Sequence, residues 1–248
     1  MNEADNNVFA NFYYFYIMYE SKTHLSFDCY GTLIDWETGI LSCFDDLKTR
    51  YPISLSDAEI LKLYADFEVD QEHKPFRPYK EVLVSVMQDF AQSLDMDLDA
   101  PDEYALVESI KTWPPFTDSH EALYALGQQY KLVIISNIDD DLFAFSQDLL
   151  GVKFDHIFTA QQMGSYKPSI SNFQFVQKSL NLKTHNWLHI AQSLYHDHIP
   201  ASTLGIDSVW IKRPSVLGDQ GIAPEVDLIP KKIFSDMASF SKEIIKME

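Results

Sequence analysis

Several polar side chains in this chain follow directly after apolar runs, where the edge of a sheet would bring them together. The first is Asp28, which follows the run 24–27 and precedes Gly31 and Thr32. An aspartate at the end of a strand lies at the carboxyl edge of an open α/β sheet, where such folds build their sites. Gly31 permits a tight turn beside the carboxylate, and Thr32 can donate a hydrogen bond near it.

The second segment is Ser136-Asn137, which follows the apolar run 132–135. Its hydroxyl and amide lie at the same edge as Asp28 if the two strands are neighbours. A Ser/Asn pair after a strand is also a common cap for the next helix. With Asp28 upstream, we favour the functional interpretation.

The third segment supplies a cation, Lys167, directly before Pro168. A surface lysine is ordinarily solvated. A buried carboxylate beside a substrate carboxylate is costly without a cation, and a nearby lysine lowers the pKa of an aspartate by roughly one to three units. We therefore predict that Lys167 keeps Asp28 ionised and nucleophilic.

These segments resemble the motifs of the haloacid dehalogenase (HAD) superfamily, whose first-motif aspartate is a covalent nucleophile. The run 27–33 is similar to the first motif, Ser136 to the second and the run 166–168 to the third. Phosphatases of the superfamily usually carry a second aspartate two residues after the nucleophile, as an acid/base. This chain has Tyr30 there, as the 2-haloacid dehalogenase branch does.

The resemblance implies a metal-independent reaction on a small halogenated carboxylic acid. Asp28, fixed by Thr32, Ser136 and Lys167, would displace halide from carbon, and water would hydrolyse the resulting ester. Ser136 would hydrogen-bond the nucleophile or the substrate carboxylate, and Asn137 would help to hold the leaving halide. No metal or other cofactor is expected, since no phosphoryl charge has to be neutralised.

A fourth segment, 190–198, contains one acidic residue, Asp197, where magnesium-dependent HAD phosphatases carry an acidic pair. Asp197 could orient Lys167 or the hydrolytic water, or cap the following helix. Gln192 and Ser193 occupy the place of polar residues of the dehalogenase branch and are expected to contact substrate. Leu194 follows, where dehalogenases often have asparagine.

His196 and His198 flank Asp197 and raise the possibility of a metal site. Residues two apart do not share a helix face, and no third ligand nearby completes a set. We interpret these histidines as solvated or capping residues.

The resemblance also implies a cation in the cap that binds the substrate carboxylate. Arg77, within the stretch 69–79, is our prediction, because a guanidinium can bind a carboxylate through two hydrogen bonds. An exposed arginine between two prolines is the alternative interpretation. Tyr30 is expected to contact substrate from the core, and by register Phe173 stands where the family has a tyrosine.

Further apolar runs predict the sheet that positions these residues. Runs of strand length recur at 132–135, 154–158, 187–190 and 209–211, separated by stretches with helical spacing, and 227–230 could form a last edge strand. This alternation predicts an α/β fold, a Rossmann-like parallel sheet of five to six strands with helices on both faces. The interval 37–113 lacks strands and resembles the inserted helical cap of the dehalogenases, so we expect a core domain of 22–36 and 114–248 and an N-terminal extension over 1–21.

Composition limits the remaining possibilities. The net charge of −18 over 248 residues argues against nucleic acid or anionic membrane as partners. Two cysteines without metal spacing favour free thiols in a reducing, cytoplasmic compartment. Residues 8–19 are aromatic but too few to span a bilayer, and Met18 is a possible natural start. A homodimer remains possible.

Two other functions stay open at this stage. A magnesium-dependent HAD phosphatase would need an acid/base at the position of Tyr30 and an acidic pair near Gln192 and Ser193. A non-catalytic HAD-like binding protein is the second alternative, because Leu194 and Phe173 depart from the dehalogenase pattern.

Overall fold

A six-stranded, all-parallel sheet forms the centre of the molecule, in the order β3-β2-β1-β4-β5-β6. The computed structural model describes residues 19–216, 218 and 226–245. The strands are β1 (His24–Phe27), β2 (Lys131–Ser136), β3 (His156–Thr159), β4 (Trp187–Ala191), β5 (Asp207–Ile211) and β6 (Ile233–Phe234). The predicted parallel α/β sheet is therefore confirmed.

Alternate side chains of β2 pack into two different hydrophobic clusters. Leu132 and Ile134 belong to one cluster, and Val133 and Ile135 belong to the other. Since successive side chains of a strand point to opposite faces, both faces of the sheet are covered. This explains why the strands are almost continuously apolar in sequence.

The register aligns the ends of the three central strands. Phe27 at the end of β1 pairs with Ile134 of β2 and with Ile190 of β4. Asp28 therefore emerges beside Ser136 and the segment that follows β4, at the carboxyl edge of the sheet. This is the edge where the sequence predicted a site.

The chain between β1 and β2 is helical, as predicted. It contains α1 (Trp36–Lys48), α2 (Asp57–Glu72), α3 (Tyr79–Ser93) and α4 (Ala105–Ser109), with 3₁₀ turns at Asp102–Tyr104 and Ile110–Thr112. A capping box begins α2: the Ser56 amide donates to Glu59 Oε2 at 2.8 Å and the Glu59 amide to Ser56 Oγ at 3.4 Å. The Phe90 ring centroid lies 4.6 Å from that of Phe44 and 5.2 Å from that of Phe67, and Phe44 and Phe90 belong to the same hydrophobic cluster as Phe27 of the sheet.

The cap helices contact the core through polar groups. The carboxylate of Asp139 accepts hydrogen bonds from the backbone amides of Tyr79 and Lys80, both at 2.9 Å, and so caps α3 from the other side of the interface. Lys80 also pairs with Asp141 at 2.7 Å. The Tyr166 hydroxyl donates to the Arg77 carbonyl at 2.8 Å.

The remaining helices cover the sheet. They are α5 (Ser119–Leu126), α6 (Asp140–Leu150), α7 (Ala160–Met163), α8 (Ile170–Ser179), α9 (Ile199–Thr203) and α10 (Met237–Ile245), with a 3₁₀ turn at Thr184–Asn186 and a π turn at Leu194–His198. Among the described helices, none combines the length and the apolar character needed to cross a bilayer. Cys29 and Cys43 are buried free thiols, as expected.

Two predicted strands differ from the structure. Residues 227–230 are not a strand, and the last strand is Ile233–Phe234. Pro230 has no backbone N–H to donate, so it suits the approach to this edge strand better than a place within it. The third strand begins at His156 rather than at Phe154. Of the N-terminal predictions, the start at Met18 and most of the extension over 1–21 lie outside the described residues.

Candidate active site

Asp28 is held from both sides of its carboxylate. Its backbone amide donates to the Ile190 carbonyl at 3.0 Å, which keeps it in register with β4. Oδ1 accepts from Lys167 Nζ at 2.8 Å and Oδ2 from Thr32 Oγ1 at 2.6 Å. Burial raises the pKa of the Asp28 carboxyl, and the Lys167 ammonium opposes that rise. The arrangement is a buried, oriented carboxylate with a permanent cation beside it.

Lys167 uses all three of its ammonium protons. They go to Asp28 Oδ1 and Asp197 Oδ1, each at 2.8 Å, and to the Ile135 carbonyl at 2.9 Å. Burial alone would lower the pKa of Lys167, but the two carboxylates outweigh it and the pKa is raised. The lysine therefore stays charged and binds the two aspartates together.

Asn137 positions the backbone of that lysine. Its Oδ1 accepts from the Lys167 amide at 2.7 Å, and its Nδ2 donates to the Lys167 carbonyl at 3.1 Å. The amide side chain thus clamps the loop after β3 to the end of β2. The sequence-based role of Asn137 was to hold halide; the structure shows it engaged in this clamp, and it also lines the cavity described next.

A cavity of about 140 Å³ opens between this edge of the sheet and the cap. Ser136 lines it with a fully buried hydroxyl that has no hydrogen-bond partner among the described residues. Asp197 Oδ2 is also buried and has no hydrogen-bond partner among the described residues. Since buried polar atoms are normally paired, these two atoms mark where a polar ligand can bind.

Tyr30, Gln192 and Ser193, which the sequence predicted to contact substrate, also line the cavity. The Tyr30 hydroxyl hydrogen-bonds Ser146 at 2.9 Å, and its ring contacts Trp113 edge-on. The Gln192 amide donates to Thr32 Oγ1 at 2.9 Å. Ser193 Oγ accepts from the His196 amide at 3.1 Å, so it also caps the π turn.

Arg77 is not where the sequence placed it. Its guanidinium donates to Ser85 at 2.9 Å and to Gln71, both within the cap, and it does not line the cavity. Arg77 lies in the loop between α2 and α3. The cap residues that line the cavity come mainly from α2 itself and not from this loop. Phe173 is likewise outside the cavity, buried against Trp187 and His189.

The cap presents carboxyl groups instead. Glu68 and Glu72 of α2 line the cavity with Tyr64 and Tyr79. Burial raises the pKa of both glutamates; for Glu72 the next cause is the charge of Glu68. Both sit in the stretch of helical periodicity recognised from the sequence, but periodicity alone does not tell which face of α2 meets the core.

Sequence reasoning also missed a buried chain of hydrogen bonds behind Asp197. His189 Nε2 lies 2.9 Å from Asp197 Oδ1, and His189 Nδ1 lies 2.7 Å from Ser26 Oγ. Trp187 Nε1 donates to the same hydroxyl at 2.6 Å. The available signal was a polar residue inside each of two apolar strands, and the register pairs the two fully buried ones, Ser26 and His189, directly.

Arg213 is a second missed residue. It follows β5, donates to the Thr32 carbonyl at 3.0 and 3.1 Å, and pairs with Asp118 at 2.8 Å. Its guanidinium stacks on Phe116 at 4.1 Å. Arg213 therefore braces the turn that carries Thr32.

The magnesium site of a phosphatase does not fit these residues. Asp28 has both oxygens engaged by Lys167 and Thr32, and Lys167 takes the place of an external cation between the two aspartates. Across the described ranges, no group of three His, Cys, Asp or Glu side chains is arranged to hold a metal. His198 bonds Ser208 and the Ala191 carbonyl.

Comparisons with known proteins bear on the family and the fold. Residues 25–211 match the profile of the family described as haloacid dehalogenase-like hydrolase. No curated protein matches the chain.

Solved structures resemble the fold across almost its whole length. The L-2-haloacid dehalogenase PA0810 has a TM-score of 0.78 at 21% identity, covering 91% of this chain and 99% of that one. An L-2-haloacid dehalogenase from Xanthobacter autotrophicus, with chloropropionic acid covalently bound, has a TM-score of 0.76 at 17% identity, covering 92% of this chain and 100% of that one. YfnB from Bacillus subtilis, bound to magnesium, has a TM-score of 0.74 at 18% identity, covering 90% of this chain and 99% of that one. Identities this low establish the fold alone.

Proposed function

Because the chain belongs to the haloacid dehalogenase-like hydrolase family, we propose that it hydrolyses the carbon–halogen bond of 2-halocarboxylic acids through an ester on Asp28. The observation that carries the proposal is the buried Asp28 carboxylate, held by Lys167 and Thr32 at the cavity wall. Tyr30 stands two residues later, with its hydroxyl bonded to Ser146. The carboxylate is equipped as a nucleophile, and no second acid accompanies it at that position.

In the first step, a carboxylate oxygen of Asp28 attacks the carbon that bears the halogen. The new carbon–oxygen bond forms as the carbon–halogen bond breaks, and halide leaves with the bonding electron pair. The Lys167 ammonium favours the ionised form of Asp28 against the effect of burial, and the Thr32 hydroxyl restrains the rotation of the carboxylate. Ser136 supplies an unpartnered hydroxyl for the substrate carboxylate.

In the second step, water attacks the carboxyl carbon of the ester. The tetrahedral intermediate carries negative charge beside the Lys167 ammonium, which stabilises it. Its collapse regenerates the Asp28 carboxylate and releases a 2-hydroxy acid and one proton. Asp197 Oδ2, buried at the cavity wall without a partner, is placed to accept a hydrogen bond from that water.

The experiment measures halide release from L-2-chloropropionate, with and without EDTA. Wild-type protein is expected to release halide equally in both conditions. Asp28→Asn is expected to abolish release, and Asp70→Asn, the same change at an exposed position of α2, should keep it. Activity that survives Asp28→Asn, or magnesium-dependent hydrolysis of p-nitrophenyl phosphate without halide release, would contradict the proposal.

An isotope experiment tests the ester itself. With enzyme in excess over substrate in H₂¹⁸O, the first turnover should place ¹⁸O in the peptide that contains Asp28. The 2-hydroxy acid should carry ¹⁶O from the protein. Direct attack of water on the substrate would give the opposite labelling.

A further inference from the structure

The lining of the cavity is strongly acidic. Six carboxyl residues and two cationic residues line the described cavity; the acids are Asp28, Asp35, Glu37, Glu68, Glu72 and Asp197, and the cations are Lys167 and Arg213. Both cations are already engaged: Lys167 binds Asp28 and Asp197, and Arg213 binds Asp118 and the Thr32 carbonyl. Within the described part of the chain, the lining therefore has no uncommitted cation that could bind a second anionic group of a ligand.

Glu68 and Glu72 lie one turn apart on α2, so both face the same way. Tyr64 donates to Glu68 Oε1 at 2.9 Å, and Tyr79 donates to the same oxygen. Oε2 of Glu68 accepts no hydrogen bond from the described residues. The tyrosines thus orient Glu68 and leave one oxygen for a ligand.

A separate observation indicates that this cavity can bind a polar ligand. Ser136 Oγ, on the core side, is completely buried and unpartnered. The core side of the cavity has the Ser136 hydroxyl and Lys167, and α2 of the cap contributes two glutamates, of which Glu72 also faces Lys167 and Asn137. A ligand that satisfies both ends carries an anionic group toward the core and a hydrogen-bond-donating cation toward the cap.

We propose that Glu68 and Glu72 form a cation-binding subsite, so that the preferred substrate is a 2-halo acid with an ammonium group at the end remote from the carboxylate. The inference rests on the proposed function for the halogen and names the substrate class of that same cavity. Burial and the charge of Glu68 raise the pKa of Glu72, so a cation bound beside the two glutamates would favour their ionised forms. An ammonium group would supply that charge together with hydrogen-bond donors for both carboxylates.

The test compares ligands that do not require turnover. Calorimetry gives the Kd of three 2-hydroxy acids of similar length: 4-amino-2-hydroxybutanoate, 2-hydroxypentanoate and 2-hydroxyglutarate. They differ at the remote end, which is an ammonium, a methyl group or a carboxylate. We expect the ammonium compound to bind the wild-type protein at least ~10-fold more tightly than the methyl compound, as a partly buried ion pair should give.

Glu72→Gln and Glu68→Gln should each reduce that preference to about threefold or less. Asp70→Asn, an exposed neutralisation on the same helix, should keep the preference. Equal Kd values for all three ligands, or tightest binding of 2-hydroxyglutarate, would overturn the subsite.

Halide release from 4-amino-2-chlorobutanoate and 2-chloropentanoate separates the two proposals. Halide release without preference for the ammonium compound would support dehalogenase activity and rule out the cation-binding subsite. Preferential binding of the ammonium ligand with no halide release would support the subsite and rule out dehalogenase activity.

Discussion

His189 Nε2 lies 2.9 Å from Asp197 Oδ1, the same oxygen that accepts a proton of Lys167 at 2.8 Å. Trp187 Nε1 donates to Ser26 Oγ, the same oxygen lies 2.7 Å from His189 Nδ1, and His189 Nε2–H donates to the Asp197 carboxylate. His189 is therefore a positioning residue that orients Asp197 from behind.

Replacing His189 by Phe should lower kcat about 10-fold and leave KM within about twofold, since Asp197 loses a donor but the cavity wall stays intact. Losing that donor raises the pKa of Asp197, so the acid limb of the kcat–pH profile should move to higher pH. Steady-state halide release between pH 4 and 9 checks this. Ser26→Ala, which leaves the His189–Asp197 bond, should give a smaller shift; an unchanged profile in His189→Phe would remove the positioning role.

Replacing Lys167 by Met should destabilise the fold by about 3–5 kcal/mol at pH 8, because two buried carboxylates lose their cation. Without the lysine, the pKa of Asp28, which burial already raises, rises further, and the lowered pKa of Asp197 rises as well. The folded state then binds more protons, so the loss should be smaller at pH 5.5 than at pH 8. Urea unfolding at both pH values measures this.

The double variant Lys167→Met, Asp28→Asn is the control, because it removes one of the two uncompensated charges. It should recover part of the lost stability at pH 8. The same loss at pH 5.5 and pH 8 in the single variant would mean that packing, and not charge, sets the effect.

Replacing Arg77 by Ala should change KM for L-2-chloropropionate by less than about twofold, because its guanidinium bonds within the cap and not in the cavity. Ser136→Ala should raise KM about 10-fold, since it removes a buried donor for a charged carboxylate. Halide-release kinetics compare the two. A large change in KM in Arg77→Ala would instead indicate that this residue contacts the substrate.

Stability should fall as pH drops from about 6.5 to about 4, partly through His198. Burial lowers the pKa of His198 to about 4. Below its unfolded pKa of about 6.5 the unfolded state binds a proton that the folded state does not, so stability present at neutral pH is lost on acidification. When the pH falls from 7.5 to 4.5, the free energy of unfolding measured with urea should fall by about 2 kcal/mol more in the wild type than in His198→Gln.

Gly39 on α1 lies against Trp113, where the cap chain returns to the core. A Cβ at Gly39 would meet Trp113 Cδ1 at 2.2 Å, with the ring on a buried side chain. Gly39→Ala should therefore destabilise by about 1–3 kcal/mol. In a thermal or urea cycle with Trp113→Leu, the double variant should lose less than the sum of the two single variants; strict additivity would contradict direct contact.

Local sequence signals predicted which residues lie at the carboxyl edge of the sheet. They did not predict in which direction the side chains of the cap point. Asp28, Thr32, Ser136 and Lys167 could be located because strand ends and turns impose short, fixed spacings. The direction of Arg77 could not, because it depends on how α2 and α3 pack on the core, which is set by contacts far apart in sequence. His189 was hidden since one polar residue in an apolar strand has no partner visible along the chain.

Asp139 caps α3 from the core, two residues after Asn137, which clamps Lys167. Tyr166, the neighbour of Lys167 on the other side of that clamp, is bonded to the Arg77 carbonyl. Opening of the cap would therefore disturb the same two loops that hold the Lys167 ammonium against Asp28. We therefore expect Asp28 to be held for attack only while the cap is closed, so that the proposed reaction and the release of its product need different positions of the cap.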